Sequence, residues 1–96
     1  MFVIEDITNY PEDVRRTDGR YPSRIGSTVE VASLKIGSPM LLEYTKDKFG
    51  NPKSGCLITS KVQDWIGIFT EGKDDLAHMC SCSVRTHNSV YYLKKI

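Results

Sequence analysis

Apolar and polar residues alternate with a period of two along much of this chain, most clearly in its second half. Cys80, Cys82, Val84 and Thr86 form one row, and Ser81, Ser83 and Arg85 form the opposite one. A tight turn at His87-Asn88 or Asn88-Ser89 then sends Val90-Tyr91-Tyr92-Leu93 back as a hairpin partner. Upstream, Cys56-Leu57-Ile58-Thr59-Ser60-Lys61-Val62 reads as a strand with Cys56, Ile58 and Val62 on one side. Trp65-Ile66-Gly67-Ile68-Phe69 reads as another, and Asp64 and Gly67 mark a bend or bulge between or within the two. Met40, Leu42 and Tyr44 share a face after a Gly37-Ser38-Pro39 turn, and residues 46–55, centred on Gly50-Asn51-Pro52, form a polar hairpin loop. Val29-Glu30-Val31-Ala32 opens a further strand that Leu34-Lys35-Ile36 continues, and Phe2-Val3-Ile4-Glu5-Asp6-Ile7 is an extended lead-in.

One segment departs from this period. Asn9-Tyr10-Pro11-Glu12 has the form of a helix start, with Asn9 as cap and Pro11 in the first turn. Only Tyr10 and Val14 mark an apolar stripe, so a helix of a turn or two is predicted, stopped by Gly19. Residues 20–28 and 71–77 read as loops, the latter charged. Five to six short strands at roughly ten-residue spacing favour a barrel over a βαβ sheet. The expected fold is mainly β: a small antiparallel barrel, SH3-like or OB-like, with one short N-terminal helix. It is a single domain, with residues 1–28 as strand, helix and Arg-containing loop and residues 29–96 as barrel.

Composition changes this picture little. Ninety-six residues make one domain, and 40% hydrophobic with 26% charged residues argues against intrinsic disorder. A net charge of +1 supplies no general attraction to nucleic acid or anionic lipid. No apolar run approaches the roughly 20 residues a spanning helix needs. The acidic start Met1-Phe2-Val3-Ile4-Glu5-Asp6 is unlike a signal peptide, so a cytoplasmic location is expected. Three cysteines without secretory features argue against a disulfide framework.

Three short motifs carry a resemblance: Gly37-Ser38-Pro39 before an apolar strand, Thr59-Ser60-Lys61-Val62, and Thr86-His87-Asn88-Ser89-Val90-Tyr91 near the end. In these the stretch resembles small uncharacterised proteins of bacteria and their phages. The resemblance implies a compact β-barrel-like fold and assigns no activity. It makes a phage-encoded inhibitor of a host or defence protein one expected form of binder.

Few residues suggest chemistry. On a flat strand His78, Cys80 and Cys82 project to one face, and His87 or Cys56 would complete a tetrahedral zinc site. Yet residues two apart on a strand lie about 6.5–7 Å apart, far for one ion. Cys80 and Cys82 are therefore read as small core residues, and no metal or cofactor is expected. No Gly-x-Ser-x-Gly elbow, phosphate loop, dinucleotide fingerprint or His-Glu-x-x-His occurs, and Asp74-Asp75 are adjacent rather than facing, so no enzyme is expected. Arg15, Arg16, Arg20 and Arg24, interleaved with Tyr21, are residue types suited to protein hot spots or to phosphates. Trp65 is a candidate apolar anchor if it faces outward. The expected function is stoichiometric binding of a protein through Arg15, Arg16, Arg20, Tyr21, Arg24 and Trp65. Nucleic-acid binding through the Arg15–Arg24 segment is the alternative, and self-association through an exposed strand edge is a related option.

Overall fold

A computed structural model describes residues 1–70 and 78–96. The strands are β1 (Phe2–Asn9), β2 (Thr28–Ser33), β3 (Pro39–Lys46), β4 (Cys56–Phe69), β5 (Met79–Thr86) and β6 (Ser89–Lys95), and a four-residue helix α1 (Tyr21–Arg24) lies between β1 and β2. Each strand pairs antiparallel with the next, and β6 returns to β1, closing a six-stranded barrel. The expected mainly β barrel with one short helix is therefore present. The charged loop at 71–77, with Asp74 and Asp75, lies outside the described residues.

The inward rows follow the alternation. Met40 and Leu42 are fully buried, with Tyr44 packed against the core on the same face. Val84 and Cys82 face inward from β5, and Tyr91 and Leu93 from β6. The buried hydroxyls are satisfied. Thr59 Oγ1 accepts from the Met40 amide at 2.9 Å and donates to the Ser60 carbonyl at 2.7 Å. Thr86 and Ser89 close the last hairpin through reciprocal 3.2 Å bonds.

Three bulges reset the inward row, and each overturns part of the sequence reading. Between Leu41↔Ile58 and Pro39↔Lys61, β4 advances three residues against two on β3. Because the side-chain period is two, one extra residue flips everything beyond it to the other face. Thus Leu57 and Thr59 point inward with Val62, while Cys56 and Ile58 are exposed. A second bulge between Val62↔Thr86 and Asp64↔Arg85 turns Trp65, Gly67 and Phe69 inward, opposite Val84, Cys82 and Met79. The third lies on β5, between the Ile68↔Ser81 and Phe69↔Met79 pairs. It buries Met79 and leaves Cys80 outside, so only Cys82 of the pair is a core residue. The bulges bend β4 without breaking it, and the two strands expected across Asp64 are one of 14 residues.

The helix is displaced from its predicted place. Residues 10–12 form a turn after β1 instead, and the chain then runs back in irregular form to a second turn at 19–20. Asn9 organises the first turn: its carbonyl accepts from the Asp13 amide at 3.0 Å and its side-chain oxygen from the Val14 amide at 2.9 Å. Asp13 adopts a φ of 58°. Tyr10 and Val14 are both exposed, so this stretch has no buried face to hold a helix. The chain instead returns along β1, with a Thr8↔Arg15 bridge and the Arg16 amide donating to the Ile7 carbonyl at 2.8 Å. Pro22 sits in the first turn of α1, inside the segment read as loop. Among the described residues no helix is long and apolar enough to cross a membrane.

Candidate interaction site

The arginine segment is built mostly from internal contacts. Arg15 Nε lies 2.8 Å from Asp6 Oδ1. Arg16 forks onto Asp18, with Nη2 at 2.8 Å and Nε at 3.1 Å, and its Nη1 donates to the Asn88 carbonyl at 2.9 Å and to Ser89 Oγ at 3.1 Å. That fork holds the Asp18 carboxyl below its ordinary range. The Arg16 guanidinium also lies 4.2 Å from the centre of the Tyr21 ring, and Ser89 Oγ donates to the Tyr21 hydroxyl at 3.3 Å. Arg24 lies 5.1 Å from the same ring and donates to the Tyr91 hydroxyl at 3.2 Å. Burial pushes Tyr91 up, and the Arg24 charge pulls it partly back. Tyr21, Arg16 and Arg24 thus clamp α1 to the start of β6.

Arg20 stands apart. Its guanidinium makes no hydrogen bond or ion pair among the described residues, and its carbonyl accepts from Ser23. The side chain opens onto a pocket of about 260 Å³ that Arg24 and Lys53 also line. The segment expected to act as one patch is therefore divided: Arg15 and Arg16 spend their charge on Asp6 and Asp18, and Arg20 presents its own.

Trp65 does not face outward. It packs half-buried against the core, edge-on to Phe69 with ring centres 6.3 Å apart. The two rings close over Gly67, where an added Cβ would come within 2.9 Å of both. The outward residues of this stretch are Ile66 and Ile68, 70% and 65% exposed. Past Val62, which Ile36 and Ser38 engage, residues 63–69 pair only with β5 among the described residues. Their other edge has no backbone partner there. This edge and its two isoleucines escaped the sequence reading. The signal was present: Trp65-Ile66-Gly67-Ile68-Phe69 is apolar on both faces, a pattern of strands covered on both sides.

The histidine–cysteine row does not converge. The β5 bulge sends Cys80 out and Cys82 in, and burial pushes the Cys82 thiol up to about 12. Among the described residues no three His, Cys, Asp or Glu side chains are grouped to hold a metal ion. The chain matches no family model, no curated protein and no solved structure.

Proposed function

We propose that this chain is a non-enzymatic binding module that holds a protein partner in stoichiometric complex by strand addition to the open edge of β4. The observation that carries this reading is the side of residues 63–69 that has no backbone partner among the described residues. An exposed edge presents a row of amides and carbonyls ready for another chain. Proteins usually blunt such edges with lysine, proline or very short strands. Here the only charge along the edge is Asp64, and Ile66 and Ile68 stand exposed on its outer face. An incoming strand would pair the backbone, cover the half-buried Trp65 and Phe69 on one face and meet the isoleucines on the other. A phage-encoded inhibitor of a host or defence protein is one use of such an edge, and that role rests on the motif resemblance alone.

The test is an affinity pull-down from a bacterial lysate in the presence of nuclease, comparing the native chain with an Ile66→Lys/Ile68→Lys variant. The expected result is one protein recovered in near-equal amount and lost with the variant, whose melting temperature is unchanged. In the recovered complex, amides of residues 63–69 gain protection from exchange. Retention by the variant would sink the edge. Loss on nuclease treatment would favour the second reading, nucleic-acid binding through the Arg15–Arg24 segment. That reading draws on Arg20 and Arg24, the two arginines there without an acidic partner among the described residues. Binding through several phosphates would fall by orders of magnitude between about 50 and 200 mM salt, whereas a strand-edge complex would change far less.

A further inference from the structure

We propose that the pocket between α1 and the β3–β4 hairpin is a binding site for a phosphate monoester, held by Arg20, Arg24 and Lys53. The site stands independently of the β4 edge. Its volume is about 260 Å³, just below the roughly 300–1,000 Å³ of clefts for drug-sized ligands, which suits a phosphate on a small organic body. Ser54 adds a hydroxyl donor to the wall, Ser23 lines it with its own hydroxyl donated to the Arg20 carbonyl at 2.7 Å, and Tyr44 lies between the hairpin and α1.

The charge of the lining is the first argument. The chain has 13 basic and 12 acidic residues, and Arg15, Arg16 and Arg85 each pair with an aspartate, at 2.8, 2.8 and 3.4 Å. In this pocket three cations meet and no Asp or Glu lines the wall. Three cations on one wall attract a doubly charged anion more strongly than a singly charged carboxylate. Only Lys53 among them has an acid in its field: the Asn51 amide and, after it, Lys53 help to hold the Asp47 carboxyl down. Arginine forks match phosphate oxygens, and the lysine adds a point charge.

Preorganisation is the second argument. Arg24 is already held by the Tyr91 hydroxyl and the Tyr21 ring, and Lys53 Nζ rests 4.0 Å from the centre of the Tyr44 ring. The hairpin wall is fixed by the Tyr44 amide to the Gly55 carbonyl at 2.9 Å and the Lys53 amide to the Thr45 carbonyl at 3.0 Å. Two cations therefore lose little freedom on binding, and Arg20 is left to close on the ligand. A single confined pocket also suits a terminal monoester better than a phosphodiester chain, which needs a groove that tracks successive phosphates.

The test uses the full chain, labelled for amide spectra and titrated with glycerol 3-phosphate, dimethyl phosphate and acetate. Glycerol 3-phosphate is expected to shift the Ser23, Ser54 and Gly55 amides saturably. The diester and acetate should bind at least about tenfold more weakly, because each carries one charge where the monoester carries nearly two. Affinity should fall as pH drops from about 7.5 to 5.5, because the monoester regains its proton near pH 6 and no histidine or carboxylate lines the pocket. An Arg20→Ala/Lys53→Ala variant should keep its melting temperature and lose at least about tenfold in affinity, the equivalent of about 1.4 kcal/mol. Three outcomes would overturn the proposal: no saturation by about 10 mM, weaker than the millimolar range, shifts spread over every basic residue, or equal affinity for monoester and diester. The last would point to nucleic-acid backbone as the source of the phosphate.

Discussion

Arg16 and Arg20 are four positions apart in one loop and differ in nearly every contact. Arg16 donates to a carboxylate, a carbonyl and a hydroxyl and lies over Tyr21, joining its own loop and α1 to the distant last hairpin. Charge-assisted bonds of this kind are worth about 1.5–3 kcal/mol when the partner is left behind. Arg16→Ala is therefore expected to lower unfolding free energy by about 1–3 kcal/mol in urea melts, and Arg20→Ala to change it by less than about 0.5 kcal/mol. Equal effects would show that the clamp carries no weight. Residue type announced that both arginines were suited to anions and aromatic rings. It could not say which one was already engaged, because the deciding partners, Asn88 and Ser89, lie more than 70 positions away.

Among the elements, β4 shows how far a two-residue period can be trusted. The strand and its bend near Asp64 were legible as a β-rich run with a polar interruption. Its faces were not, because one bulged residue inverts every side chain beyond it, and β4 carries two such residues. Gly67 then takes on a meaning its residue type hardly hinted at: it leaves room for the Trp65 and Phe69 rings to meet. Gly67→Ala would force the rings apart. An overpacking cost of about 1–3 kcal/mol is expected, together with a red shift in the fluorescence of Trp65, the chain's single tryptophan. An unchanged melt and spectrum would mean that the rings yield freely and that the glycine has another role.

At the scale of the whole molecule, closure of the barrel places two titratable groups inside a low-dielectric core. Burial pushes Cys82 from an ordinary value near 9 to about 12, and pushes Tyr91 above 10. In both cases the folded state prefers the neutral, protonated form. Their contribution to stability is therefore intact below pH 9 and declines as pH rises from 9 towards 12, where the unfolded chain has released protons the folded chain still holds. Urea melts at rising pH should show this decline, and Cys82→Val should flatten part of it while folding normally near neutral pH. A variant with the same alkaline slope would place the whole effect on tyrosines. Failure to fold would show that valine does not fit where the thiol packs.

Alternation, turn residues and length sufficed to reveal the class of fold, because period-two burial and Gly, Pro and Asn punctuation are local properties. The last hairpin is the clearest case, where the inward rows 82–84–86 and 91–93 sit as the pattern requires. The helix at residues 21–24 was misplaced because the N-terminal segment is ruled by long-range partners on β1 and β6 rather than by its own caps. Apart from the two-faced apolar run at Trp65–Phe69, the site belongs to tertiary structure. An edge is unpaired only once every other strand has chosen its neighbour, and a cationic pocket exists only once the Lys53 hairpin has folded against Arg20 and Arg24. Pairing and convergence of that kind are properties of the closed barrel, and no local stretch of residues encodes them.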